Sequence, residues 1–282
     1  SKEGVVDRDK EALVFLEMSK RGYGPKCYGG NSEYRLEEYF NARPIQNKEY
    51  NMPEFRRKLA LSLANFHKIS VKGIDKTPLF EKDFNDPKFY QTFEEKCNEK
   101  IYTPEEQKMI DEIRTASTQE ERNFIMSILP KDDPVFSHND LLSGNVLVRK
   151  DNQNIILIDY EYAAYNFRGY DIGNMFKEST WEYGHPEPPT FKVVDSHFPN
   201  DEDLRDFIRY YLAFSSMTDE EQRELGDRLL ENEEEMKEYL EKFDEDELNE
   251  RVAKLLKETK IAVMLSYYYW AIWGIKMSKN PD

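Results

Sequence analysis

His138-Asn139-Asp140-Leu141-Leu142-Ser143-Gly144-Asn145, followed fourteen residues later by Asp159 at the end of an apolar run, is the stretch that decides the reading of this chain. Val135-Phe136-Ser137 is a short apolar approach to it. Val146-Leu147-Val148 and Ile155-Ile156-Leu157-Ile158 are rich in β-branched residues and read as strands. The polar segment Lys150-Asp151-Asn152-Gln153-Asn154 between them reads as a turn. Paired as an antiparallel hairpin, the two runs bring Asn145 to face Asp159 at the open end. One amide oxygen and one carboxylate then converge on a point, which suits Mg²⁺ with its oxygen ligands and shared phosphates.

An acid, an amide five positions on and a second acid at a strand end is the spacing of a kinase catalytic loop with its metal site. Asp140 lies just ahead of the first strand, free to accept the proton of a substrate hydroxyl as a phosphoryl group moves. Taken singly, each of the three residues is as readily a turn residue or a helix cap. Their combination with His138 and the hairpin is what points to chemistry.

Several further segments carry a resemblance. They are Ile158-Asp159-Tyr-Glu161-Tyr162, Asn166-Phe-Arg-Gly-Tyr-Asp171-Ile-Gly-Asn174, Arg35-Leu-Glu-Glu-Tyr-Phe40 and Trp270-Ala-Ile-Trp273. With the catalytic stretch, they make the chain resemble the choline/ethanolamine kinase family. The resemblance implies an α+β, protein-kinase-like two-lobed fold with a mostly helical C-lobe. It implies ATP- and Mg²⁺-dependent phosphorylation of a small amino alcohol, whose product feeds phospholipid synthesis. Asp140 becomes the base, Asn145 and Asp159 the metal ligands with Glu161 assisting, and Asp171 a brace for the loop backbone. Tyr162, Glu178, Tyr183, Trp270 and Trp273 become the lining of the substrate pocket. Members of the family are often dimeric, which makes a homodimer an expectation.

Choline is a permanent cation without headgroup donors, so aromatic faces and a nearby carboxylate are its natural partners. Each such ring contributes roughly 0.5–2 kcal/mol. Trp270 and Trp273 are three apart and share a helix face. The other reading of 261–277 is an apolar helix whose rings pack a core. Tyr183, five after Glu178, matches a choline-type spacing, whereas Leu141-Leu142 resembles the ethanolamine side. Choline is placed ahead of ethanolamine. A kinase of aminoglycoside or homoserine type on the same scaffold is a further alternative, but a polyamine would need several carboxylates where this chain offers rings. A non-catalytic choline-binding module is the third.

The chain has 282 residues, enough for one large domain or two lobes. Its 18 Tyr and 17 Phe argue against wholesale disorder. A net charge of −16 argues against nucleic acid as partner. The acidic field favours a cationic substrate and opposes ATP, so Mg²⁺ must offset it; the plainer reading is solvated surface. Cys27 and Cys97 have no metal-ligand spacing and fit a reducing cytoplasm. Ser1-Lys-Glu-Gly-Val-Val6 is no signal peptide, and the apolar stretch near 261–275 is too short for membrane insertion.

Residues 7–22 predict an amphipathic helix with Leu13, Val14 and Leu16 on its apolar side. Glu11 is the candidate partner of an ATP-binding lysine, or else a solvated first-turn acid. Segments 26–28 and 34–40 read as strands, with a lobe hinge near 37–43 that places Glu37 and Tyr39 against the nucleotide. Residues 54–69 predict a helix with Phe55, Leu59, Leu63 and Phe66 inward, and His67 as a structural hydrogen-bonding histidine. Residues 75–130 are polar with helical stretches, and 219–260 read as a charged surface helix or helical pair. Ahead of residue 7 there is no Gly-rich loop and no strand carrying a phosphate-binding Lys or Arg. The reading is therefore a truncated N-lobe over 1–41 and a C-lobe over 42–282, an interior fragment at both ends.

Overall fold

In the computed structural model, residues 8–278 are described, except 32, 100, 101, 188 and 189. Residues 1–7, including the first of the helix expected over 7–22, lie outside the described residues. In chain order the elements begin with α1 (Arg8–Arg21), β1 (Cys27–Gly30), β2 (Arg35–Glu37), β3 (Ala42–Pro44) and α2 (Pro53–His67). Four helices follow: α3 (Leu79–Asn85), α4 (Pro87–Glu99), α5 (Pro104–Thr115) and α6 (Gln119–Ile128). Next come β4 (Val135–Ser137), β5 (Val146–Arg149), β6 (Ile155–Leu157), β7 (Ala164–Asn166), α7 (Arg168–Glu178), β8 (Trp181–Tyr183) and β9 (Phe191–Val193). The chain closes with α8 (Asp201–Ser215), α9 (Asp219–Glu231), α10 (Glu233–Leu240) and α11 (Glu245–Met277).

The sheets are small and antiparallel. β1 pairs with β2, β5 lies between β3 and β6, β4 pairs with β7, and β8 pairs with β9. The expected hairpin forms with Val146 opposite Leu157 and Val148 opposite Ile155. The pairing of β4 with β7 sets Ser137 opposite Ala164. These two ladders bracket 138–145 and 159–163, so the polar loops between them are held from both sides.

Two apolar clusters hold the helices. The larger joins Val14, Phe15 and Met18 of α1 to α2, β5, β6, α7, α8 and the first half of α11. The second packs Phe80, Phe84, Phe89, Phe93 and Tyr170 against Leu265, Tyr269 and Ile272 of α11. Helix α11, about 50 Å long at 1.5 Å per residue, therefore belongs to both. Asp244 caps its start by accepting from the Glu247 N–H.

Helix α7 is buried from Gly169 to Glu178. Its approach to α11 depends on two glycines. A Cβ on Gly173 would lie 2.7 Å from the Thr259 carbonyl oxygen and 3.0 Å from the Ala262 Cβ. One on Gly169 would lie 3.0 Å from the backbone at 258–259. The absence of side chains lets two backbones touch, and it fixes where α11 delivers Trp270 and Trp273.

Some sequence expectations change. Leu13 and Leu16 of α1 are half exposed, and the buried side is Val14, Phe15 and Met18. The second strand is shorter than the expected 34–40, ending at Glu37, and the first runs Cys27–Gly30 rather than 26–28. Residues 219–260 form two helices and the start of α11, broken where Asn232 and Asp244 cap new N-termini. Phe55, Leu59, Leu63 and Phe66 face inward as expected.

Two glycines in packed helices provide a test with opposite signs. Gly173→Ala should destabilise the fold by roughly 1–3 kcal/mol, because backbone cannot yield to the new methyl. Gly274→Ala, on α11 with nothing within 4 Å of its added Cβ, should stabilise by about 0.5–1 kcal/mol. Urea denaturation of both variants measures the pair; a neutral or stabilising Gly173→Ala would refute the close-packed account of α7.

Candidate active site

The loop after β4 is organised by Asp171 of α7. Its carboxylate is fully buried and accepts from the backbone N–H of His138 at 2.6 Å and of Asn139 at 2.8 Å. His67 Nε2 adds a third contact at 3.0 Å. Arg168 donates to the Tyr211 hydroxyl at 2.8 Å, and that hydroxyl lies 2.7 Å from His67 Nδ1. Burial holds the His67 pKa down, so the ring is neutral, with Nε2–H donating to Asp171 and Nδ1 accepting from Tyr211. His67 is thus structural, as its sequence context suggests.

His138 is also neutral, its pKa lowered by burial. Its Nε2 lies 2.8 Å from the Ile158 carbonyl, which can only accept, so that nitrogen carries the proton. Asn139 has φ +67° and Asp159 φ +65°, left-handed conformations in which Asn and Asp are the best-tolerated residues after glycine. The Asn139 amide donates to the Tyr162 carbonyl at 3.0 Å and accepts from Asn166 at 2.8 Å. Through these bonds the 138–145 loop and the 159–163 segment are one hydrogen-bonded unit.

Asp140, Asn145 and Asp159 meet at the open end of the hairpin. The Asn145 amide nitrogen donates to the Asp140 carbonyl at 2.9 Å and to its carboxylate at 3.2 Å. That leaves the Asn145 amide oxygen as the atom for a cation. The Ile158 N–H donates to the Asn145 carbonyl at 3.0 Å, which sets Asp159 beside Asn145. Burial, followed by the charges of Glu178, Asp159 and Glu161, pushes the Asp140 carboxyl up to about 7, against a lowering by Lys177. Burial and Asp159 likewise push Glu161 up. The cluster carries an excess of negative charge that Lys177 and Arg8 offset only in part.

The aromatic candidates come together. The Tyr162 ring centroid is 5.5 Å from Trp270 and 5.9 Å from Trp273, and the two tryptophans are 5.2 Å apart, all near edge-on. Burial raises the Tyr162 pKa, with Glu161 and Asp140 adding to it. On the other flank, Glu178 is buried and each of its oxygens has a partner. Lys177 Nζ lies 2.5 Å from Oε1, and the Tyr183 hydroxyl donates to Oε2 at 2.6 Å. A cavity of about 470 Å³ borders the loop at Leu142, Ser143 and Gly144 and reaches Trp181 and Tyr183.

The three candidates for nucleotide contact share a cleft. Glu11, Glu37, Tyr39, Leu147, Ile158 and Asp159 line a cavity of about 380 Å³. Tyr39 borders it with a side chain 91% exposed. The pairing expected between Glu11 and a lysine is made with arginines instead, Arg8 at 3.0 Å and Arg35 at 3.6 Å. Arg35 stacks on Phe15 at 3.7 Å, which anchors β2 to α1.

Sequence reasoning missed Lys177 and Trp181. Lys177 is a buried cation that neutralises Glu178 and lies 5.8 Å from the Trp181 ring. The signal was present: a lysine beside a pocket acid, in a helix without a solvent face.

The raised Asp140 carboxyl carries a stability cost with a definite sign. Unfolded, the group titrates near 3.9; folded, at about 7. Between these values stability falls as pH rises, and above 7 the penalty reaches on the order of 4 kcal/mol. Asp140→Asn should therefore be more stable than the native chain at pH 8, by one to several kcal/mol, and equal to it at pH 4. Chemical denaturation at both pH values measures this; equal stability at pH 8 would contradict the electrostatic account.

The family model described as choline/ethanolamine kinase matches residues 1–281. The chain is 28% identical to a choline/ethanolamine kinase of Homo sapiens, over 97% of this chain and 63% of that protein. It is 30% identical to a probable ethanolamine kinase of Arabidopsis thaliana, over 97% of this chain and 62% of the relative. The chain thus spans about three-fifths of the length of these curated relatives. Among solved structures, a choline kinase from Cryptosporidium parvum superposes with TM-score 0.68 at 22% identity, covering 97% of this chain and 74% of that one. An ethanolamine kinase from Plasmodium vivax does so with TM-score 0.67 at 19% identity, covering 99% and 70%. The fold is accordingly the α+β, protein-kinase-like one expected from the sequence. With its loop, hairpin and aromatic helix in this arrangement, the chain belongs to the choline/ethanolamine kinase family.

Proposed function

We propose that the chain carries the catalytic part of an ATP- and Mg²⁺-dependent kinase that phosphorylates the hydroxyl of choline to phosphocholine. The observation that carries this reading is the position of Asp140. It lies within electrostatic reach of Asp159 and Glu161 on one side and of Glu178 on the other, and Tyr162, beside the two tryptophans, feels its charge. In this reading residues 1–41 supply part of an N-lobe and 42–282 the C-lobe. Two unpaired cysteines, Cys27 and Cys97, support a cytoplasmic location in this reading. No helix among the described residues is long and apolar enough to cross a membrane.

The donors at the hairpin end are oxygens only, which suits a hard cation. Among the described residues no three His, Cys, Asp or Glu side chains gather into a full metal cage. A cation that shares its shell with phosphates needs none. Asn145 and Asp159, with Glu161 beside them, would hold Mg²⁺, which offsets phosphate charge when bound. Glu11, Glu37 and Tyr39 line the nucleotide cleft. Asp140 accepts the proton of the substrate hydroxyl at its carboxylate as that oxygen bonds to the γ-phosphorus and the bond to ADP breaks. A cation bound beside it would draw the Asp140 carboxyl below its value of about 7, which would favour the ionised form that acts as a base.

Tyr162, Trp270 and Trp273 supply the aromatic faces for a quaternary ammonium. Ethanolamine, the second reading, brings three N–H donors that need acceptors. Each Glu178 oxygen is already engaged, by Lys177 and by Tyr183, which favours choline.

The deciding assay uses the full-length gene product with ATP, Mg²⁺ and either amino alcohol. A higher kcat/KM for choline is expected; the reverse preference moves the substrate to ethanolamine. Asp140→Ala should abolish phosphorylation while the fold persists, and substantial residual turnover would remove Asp140 as the base. Trp270→Ala should raise the choline KM at least several-fold; an unchanged KM would assign that ring to core packing alone.

A further inference from the structure

A second cavity, about 630 Å³, shares the wall formed by Glu38 and Phe40 with the nucleotide cleft. Its other walls are the end of α1 with the turn at 22–24, one side of α2, the β5–β6 hairpin and α9. Five basic residues line it, Arg21, Lys26, Lys58, Arg149 and Arg223, against two acids, Glu38 and Asp227. That is a local excess of positive charge in a chain of net charge −16.

Two of the five already have partners. Arg21 bonds Glu17 at 2.7 Å and reaches Asp219 at 3.5 Å, and Arg149 bonds Asp151 at 2.6 Å. Lys26, Lys58 and Arg223 form no ion pair among the described residues. Lys58 is half-buried and its ammonium touches only the Asn152 carbonyl, at 3.2 Å. Burial pulls its pKa down although Glu54, Glu231 and Asp227 oppose this. Such a cation is stabilised by an anion that enters the cavity.

We propose that this cavity binds a small phosphorylated anion carrying two or more negative charges, a diphosphate or a phosphate ester. The separated point charges of Lys26 and Lys58 with the planar fork of Arg223 match the several oxygens of such a group. The volume is that of a small-molecule site, larger than one phosphate needs. Occupancy is felt in the neighbouring cleft, because Glu38 and Phe40 are wall to both. The site is distinct from the Asp140 centre, none of whose acids lines it.

Inorganic pyrophosphate, titrated by calorimetry into the full-length gene product in Mg²⁺-free, low-salt buffer, tests the proposal. The native protein should bind it. Lys58→Gln with Arg223→Gln should weaken the affinity at least tenfold, and Lys26→Gln, at an exposed position, at least twofold. Asp159→Asn, in the cleft next door, should leave the affinity within twofold. Amide resonances of Glu38 and Phe40 should shift during the titration. No binding by the native protein, or native affinity in the double variant and in Lys26→Gln, overturns the proposal. So does binding that responds only to Asp159→Asn, since the anion then sits in the cleft.

Discussion

One buried carboxylate holds the 138–145 loop in place. Asp171 has no exposure to solvent, and its two oxygens collect two backbone N–H groups and a histidine. A buried carboxylate without such donors is strongly destabilising, and so are two buried backbone donors without an acceptor. Each side of the arrangement therefore requires the other. The loop cannot relax away from α7 without exposing both penalties, so Asp140, one residue beyond the bonded amides, is presented at a fixed point. The chain Arg168, Tyr211, His67 extends the same logic into α2 and α8, with each donor matched to one acceptor.

Around this brace the molecule tolerates tension at the proposed site of the cation and substrate. Asp159, Glu161 and Glu178 raise the cost of ionising Asp140, against Lys177, and Asp159 raises that of Glu161, against Arg8. Two neighbouring residues, Asn139 and Asp159, hold left-handed backbone conformations. Strain and like charge concentrated in a few residues are supported by two apolar clusters that share α11. The close contact of α7 and α11 at Gly169 and Gly173 joins the brace to the aromatic face, because Asp171 and Trp270 lie on the two helices so joined.

The distribution of charge is uneven in a way that total charge hides. The surface helices carry most of the excess acid, with capped N-termini whose first turns are acidic, as at Asp219-Glu220-Glu221 and Glu245-Asp246-Glu247. There it complements the helix dipole. Lys26, Lys58 on α2 and Arg223 on α9, which line the second cavity, stand against the general field. The net value of −16 therefore predicts neither pocket's preference.

Much of the site was legible in the linear order because its parts are close in sequence. The hairpin that sets Asn145 beside Asp159 needs only strand propensity and a polar turn, both local properties. The inward residues of α2 could be read from their period, and the structural part of His67 from its place at the end of an apolar face. Local pattern misled where burial came from distant elements. Leu13 and Leu16 have the right spacing for a core face, yet the larger cluster takes Val14, Phe15 and Met18, because α2, β5 and β6 lie on that side. Lysine is ordinarily a surface residue, and the enclosed position of α7 makes Lys177 the counter-ion of Glu178. The sequence alone determined the identity and spacing of the acid, amide and acid, since one short ribbon carries them. Only tertiary packing decided which rings, charges and cavities surround them, since long-range burial sets the local dielectric and chooses which side chains must find partners.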